Sequence, residues 1–133
     1  MRLIIMMLAA SICFGSPRVV RKPMSFEATA YAARGETASG TRCRVGMVAA
    51  DPRVLPLGTR IRVSGPGAVG VTGTYIVADT GAAVKGRRID IRLPSRAAAR
   101  KFGRQRVMVR VLQRGIGKDD PKLGPKVERA AAK

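Results

Sequence analysis

The chain has no histidine and no tryptophan, two cysteines, two tyrosines, and 8 Asp+Glu against 26 Lys+Arg in 133 residues. Each shortage removes a class of chemistry. Without histidine there is no Ser–His or Cys–His nucleophile pair and no imidazole to ligate a metal. Two cysteines alone do not complete a zinc site, so neither metal nor cofactor is expected. Proton transfer then falls to carboxylates, lysine or tyrosine. With three Phe and two Tyr there is little for nucleic-acid bases to stack on. The basic residues are also scattered, mostly arginines alternating with apolar positions, and this footprint argues against nucleic acid. The formal charge of +18 still draws the protein to polyanions, anionic cell-wall or envelope polymers among them.

Met1-Arg2 is followed by an apolar run from Leu3 to Phe14 and then by Gly15-Ser16-Pro17. One positive charge, a short apolar segment and small residues after it describe a secretory signal peptide over residues 1–16. The run is too short to span a bilayer. A periplasmic or secreted, envelope-associated protein is expected, with no transmembrane segment once the leader is removed. Ile12 stands where a lipobox carries a small residue, which speaks against lipidation of Cys13, and loss of Cys13 leaves Cys43 as a single thiol. Residues 17–24 read as a basic linker and 25–112 as one domain. Residues 113–133, polar and rich in Lys, Pro and Ala, read as a disordered basic tail.

Inside the domain the apolar segments are short. Phe26–Tyr31, Gly46–Ala50, Thr59–Val63, Thr74–Ala78, Arg88–Ile91 and Arg106–Leu112 have the composition and spacing of strands. In the last, Val107, Val109 and Val111 alternate with Arg106, Met108 and Arg110, so one face is buried and the other is wet. Ser95 can cap a short helix through Ala97-Ala98-Ala99-Arg100-Lys101-Phe102, which Gly103 stops. Six short strands and one helix suggest an all-β fold, a small closed barrel.

Only five acidic residues lie between Ser16 and Leu112, and three of them, Asp51, Asp79 and Asp90, sit among apolar strand residues, prolines and glycines. A carboxylate buried without a partner costs several kcal/mol, roughly, so acids in such settings call for an explanation. Each has a plain one. Asp51-Pro52 can start a turn. Asp79 can cap its own loop, with Gly81 supplying a left-handed backbone angle. Lys85 can be a solvated charge. Asp90 lies in Arg88-Ile89-Asp90-Ile91-Arg92, where alternation puts it on the face of the two arginines and allows a surface ion pair.

Taken together, Thr29-Ala30-Tyr31, Thr37-Ala38-Ser39-Gly40, Ala49-Ala50-Asp51-Pro52, Leu55-Pro56-Leu57-Gly58-Thr59, Asp79-Thr80-Gly81-Ala82-Ala83-Val84-Lys85-Gly86 and Ile89-Asp90 form an ordered set. The set resembles the 3D domain family, named for three aspartates, with Ala82 in place of a second glycine and Val84 in place of Ile. The resemblance implies a six-stranded double-psi β-barrel. It also implies activity on the glycan strands of peptidoglycan as a lytic transglycosylase, cleaving between MurNAc and GlcNAc with a 1,6-anhydro product. On this resemblance Asp90 is the acid and then the base, and Asp79 and Asp51 are its carboxylate partners. Thr37, Thr80, Gly81 and Lys85 become candidates for binding the glycan or orienting the aspartates. The chemistry is self-consistent, because neighbouring carboxylates resist ionising together and one of them keeps a proton to donate.

Two other readings use the same residues. Asp79-Thr80-Gly81 after an apolar strand is also the aspartic-protease signature, which in a chain this short requires a dimer. Double-psi barrels of the expansin-like and rare-lipoprotein-A-like kinds also include proteins that bind glycan without cleaving it, and fold alone does not separate these from enzymes.

Overall fold

The computed structural model describes residues 21–127. Six strands are present: β1 (Met24–Tyr31), β2 (Met47–Ala50), β3 (Arg60–Ser64), β4 (Gly73–Asp79), β5 (Arg88–Arg92) and β6 (Gln105–Gln113). They close into a barrel in the order β1-β5-β2-β4-β3-β6. The β1/β5 and β2/β4 pairs are parallel and the rest antiparallel, the double-psi arrangement in which interleaved parallel pairs cross the barrel. Closure leaves no free sheet edge.

Alternation explains why each strand forms where it does. In β3, Ile61 and Val63 are buried while Arg60 and Arg62 are exposed. In β6, Val107, Val109 and Val111 point inward as the sequence spacing requires. These residues join Phe26, Ala28, Val48, Ile89, Ile91 and Val77 in one core. Fully burying a Val, Ile or Phe is worth roughly 1.5–3 kcal/mol, so a small core of this kind holds without tryptophan. Between β5 and β6 lies α1 (Arg96–Phe102). Ser95 Oγ accepts the Ala98 N–H at 3.1 Å, Gly103 ends the helix, and Phe102 packs into the core. Seven residues are too few to hold a helix alone, so this docking stabilises it.

Two parts of the chain differ from the sequence reading. Met24, read as linker, already pairs with Val109 in the barrel. Residues 113–127, read as the start of a disordered tail, are packed instead. A 3₁₀ turn at Pro121–Leu123 follows Asp120, which accepts the Lys122 N–H at 2.9 Å and is itself buried. Leu123 is fully buried against Met47 and Ala78 on the outside of the barrel. Composition hid this because a single leucine and one aspartate do the anchoring in an otherwise polar segment. The expected leader, Cys13, and residues 128–133 lie outside the described residues. Among the described residues no helix is long and apolar enough to cross a membrane.

Candidate active site

Four neighbouring strands each contribute one residue to a row across the outer wall of the barrel. Thr29 on β1 is the register partner of Asp90 on β5. Asp90 is the partner of Ala49 on β2, and Ala49 is the partner of Asp79 on β4. The last pairing exists because the β2/β4 ladder shifts between Val48 and Ala49. With Val48 opposite Val77, an unbroken ladder would set Ala49 against Ala78; the irregularity brings Asp79 into line instead, the usual way a bulge re-aims a side chain. Two interstrand spacings of about 4.8 Å each separate the backbones that carry Asp90 and Asp79. The residue between them is only an alanine.

Asp90 is half-buried and accepts the Thr29 hydroxyl at 3.1 Å. Burial pushes its carboxyl above the ordinary aspartate range and the charge of Asp79 adds to this, while the Thr29 hydrogen bond opposes both. The flanking arginines do not pair with it. Arg88 reaches Glu27 at 3.1 Å. Arg92 is buried, its Nε donating to the Ala33 carbonyl at 2.6 Å and its Nη1 to that of Leu93. The surface ion pair that alternation allowed is therefore not formed.

Asp79 Oδ1 accepts two backbone N–H groups, from Ala38 at 2.9 Å and from Thr80 at 2.9 Å. The first of these ties it to the loop at 37–41, which is further fixed by Ser39 N–H on the Ala78 carbonyl at 3.1 Å. Thr37 lies inside that loop. It is buried, and its hydroxyl is engaged with Ser39 Oγ at 2.7 Å, Thr41 Oγ1 at 3.1 Å and the Thr41 carbonyl at 3.0 Å. Thr37 is thus placed to stiffen the loop that holds Asp79. Thr80 is half-buried beside Asp79, and Lys85 is exposed on the same connection. Gly81 does not adopt the left-handed angle expected of it. Its requirement is room, since a Cβ there would meet Val84 Cγ2 at 2.9 Å.

Asp51 stands apart from the row. Its Oδ2 accepts the Gly86 N–H at 2.9 Å and Arg53 Nη2 at 3.1 Å; its Oδ1 accepts the Arg53 N–H at 3.0 Å and Arg53 Nε at 3.2 Å. Arg53 and the two backbone N–H groups hold its carboxyl well below the usual carboxylate range. It is an ionised clamp on the end of the 80–87 connection, and the charge felt by Asp90 is that of Asp79. A lowered carboxyl stabilises the fold fully above the unfolded aspartate pKa of about 3.9 and loses that contribution as pH falls through the folded value. Asp51→Asn is therefore expected to lower the melting midpoint by a few degrees at neutral pH, with the gap to the native protein closing below about pH 4. Melting curves across this range check it.

Tyr31 belongs to the site as well. It lies two residues beyond Thr29 on the same strand face, with its hydroxyl 3.8 Å from the free thiol of Cys43. Burial first, then Cys43, then the charges of Asp79 and Asp90 push the phenol far above its ordinary range, so it stays protonated. The sequence reading assigned it no role, although period-two alternation from Thr29 was the signal that could have found it. Among the described residues no group of three or more His, Cys, Asp or Glu side chains is placed to hold a metal.

Residues 46–113, which carry all three aspartates, match the 3D domain. The chain belongs to the 3D domain family. Over 100 residues it is 35% identical to YabE of Bacillus subtilis, named as a cell wall shaping protein, covering 68% of this chain and 23% of that one. It is 37% identical over 100 residues to the cell wall-binding protein YocH of the same organism, covering 68% and 33%. This 3D-domain chain therefore spans about a quarter to a third of the curated relatives it matches. Among solved structures, E. coli MltA with bound chitohexaose superposes with a TM-score of 0.51 at 22% identity, over 62% of this chain and 28% of that one. The Streptomyces papain inhibitor superposes with a TM-score of 0.54 at 21% identity, over 71% and 98%. Both are likenesses of the barrel.

Proposed function

We propose that this 3D domain is a lytic transglycosylase acting on the glycan strands of peptidoglycan in the cell envelope, with Asp90 as its acid and base. The observation that carries the reading is the half-buried Asp90 carboxyl, pushed toward its protonated form in a row with Asp79. A glycosidic oxygen leaves only if it is protonated, and a carboxyl with a raised pKa is the group that can do this near neutrality. Asp90 gives its proton to the leaving oxygen as the bond to the sugar's anomeric carbon breaks. The carboxylate left behind takes the proton of the same sugar's 6-hydroxyl, whose oxygen closes on the anomeric carbon. The product is a 1,6-anhydro ring, Asp90 has its proton back, and no water is consumed. Asp79, fixed by Ala38 and Thr80, supplies negative charge beside the developing cation. Thr29 orients the Asp90 carboxyl and Tyr31 offers a phenol beside both.

The relatives' names support the wall as the site of action, and MltA, itself named a lytic transglycosylase, shares the barrel. One observation favours a second reading, binding without turnover: YocH is named for cell wall binding alone. The aspartic-protease reading gains no support from the barrel, in which Asp79 lies in one row with Asp90 of the same chain. Digestion of purified sacculi with mass analysis of the released muropeptides tests the proposal. Products one water lighter than hydrolysis products are expected. Retention on sacculi with no release would replace cleavage by binding.

A further inference from the structure

Next to the aspartate row, and sharing Thr29 with it, the barrel carries an open cleft whose other lining residues the cleavage chemistry does not use. It is lined by Thr29 and Ala30 of β1, and by Arg96, Ala99, Arg100, Gly103 and Arg104 of α1 and the turn after it. Its β1 side includes Thr29, the residue that donates to Asp90. Helical spacing puts Arg96 and Arg100 one turn apart on one side of α1, with Ala99 and Gly103 keeping the space beside them open. Like charges at this spacing cost a short helix stability. Arg104 is offset by Glu27 at 3.4 Å. Arg96 and Arg100 have no acidic partner among the described residues, and both are exposed. This open cleft, with two uncompensated guanidinium groups on its α1 side and Thr29, the hydrogen-bond partner of Asp90, on its β1 side, suits a ligand that carries negative charge beside the reacting sugar.

We infer that this cleft is a subsite for the carboxylates of the peptide stem carried by the glycan, with Arg96 and Arg100 as its anion-binding residues. Guanidinium forks match carboxylates in plane and can bind them through two hydrogen bonds. The inference rests on peptidoglycan being the ligand. It makes the cleft a selector of stem-bearing strands: sugar lies across Asp90 and Asp79, and the stem leaves past Thr29 toward α1.

The test is a binding measurement in an Asp90→Asn background, so that no ligand is consumed. Three probes are used: a soluble peptidoglycan fragment with its stem peptide, the same fragment with its stem carboxylates amidated, and chitohexaose as a peptide-free glycan. The native arginines are expected to favour the carboxylate-bearing fragment over the amidated one. Arg96→Glu/Arg100→Glu should weaken binding of the carboxylate-bearing fragment by about tenfold or more at low salt. Chitohexaose binding should stay within about twofold, since a peptide-free glycan has no charge for these side chains to meet. The milder pair Arg96→Gln/Arg100→Gln, with an unchanged melting midpoint, guards against loss of the helix. Equal weakening for all three probes, or none for any, would overturn the inference. If the stem preference holds while the native protein releases no anhydro product, the subsite stands in a wall-binding protein and only the cleavage reading fails.

Discussion

Asp90→Asn is expected to cut muropeptide release by about 10²–10⁴-fold, the usual contribution of a positioned acid–base group. Asparagine keeps the size of the side chain and an oxygen for the Thr29 hydroxyl, but it has no proton to give the leaving oxygen and cannot take one back from the 6-hydroxyl. The effect on stability should run the other way. Because burial and Asp79 raise the Asp90 pKa, the folded state binds more protons than the unfolded chain once pH passes the unfolded aspartate value of about 3.9. Native stability is therefore eroded as pH rises from there through the folded pKa, and a neutral asparagine escapes this loss. At neutral pH the variant should melt at or above the native temperature while being inactive. The native rate should fall as pH rises through the raised Asp90 pKa, placing the alkaline limb above that of an exposed aspartate. Paired melting and rate measurements across pH check both halves. A variant that is inactive because it is unfolded would not support the role given to Asp90.

Gly115→Ala is expected to have a large effect on the fold. A Cβ at this position would land on the Leu57 carbonyl, the Gly58 carbonyl carbon and the Thr59 backbone nitrogen, none of which is a flexible side chain that can step aside. The close approach lets the Gly115 N–H reach Thr59 Oγ1 at 3.0 Å and the Gly117 N–H reach the Leu57 carbonyl at 3.0 Å. From there the segment continues to Asp120, which accepts the Ile116 N–H at 3.0 Å and Lys122 Nζ at 2.8 Å. Gly58, with φ of +88°, has no side chain to collide with that carboxyl. Lys126 Nζ then donates to the Ser39 carbonyl at 2.6 Å and Val127 N–H to that of Gly40 at 2.7 Å. The strap thus ends on the 37–41 loop that holds Asp79. Overpacking against rigid backbone costs roughly 3 kcal/mol, at the upper end of such changes. For a domain of this size that lowers the melting midpoint by roughly 10–20 °C. Thermal unfolding measures it, and a change of only a degree or two would show that the strap is not seated as described.

The barrel was legible in the sequence wherever alternation was clean. Val107, Val109 and Val111 fixed β6, and Ser95 with Gly103 bracketed α1 to within a residue. The aspartates were legible as anomalies, because few other acids compete for attention in so basic a chain. Their separate tasks were not. Asp51 reads the same as Asp79 in sequence, and only folding shows that Arg53 and Gly86 occupy it. The alignment of Asp79 with Asp90 depends on a ladder shift between Val48 and Ala49, which no local pattern announces. For Thr37 the sequence left binding the glycan and orienting the aspartates both open, and only the fold shows its hydroxyl engaged with Ser39 and Thr41 in the loop that holds Asp79. The packed strap was hidden because Asp120 and Leu123 find their partners roughly 45 to 75 residues away in sequence, at Gly58, Met47 and Ala78.

In the proposed reaction Asp90 passes the sugar's own hydroxyl proton and no water enters. Digestion of sacculi by the native protein in heavy-oxygen water, with mass analysis of the new glycan ends, tests this most directly. Ends one water lighter than a reducing sugar and free of the heavy isotope are expected, and so is their loss with Asp90→Asn. Ends that carry heavy oxygen at the anomeric carbon would mean hydrolysis and would contradict it.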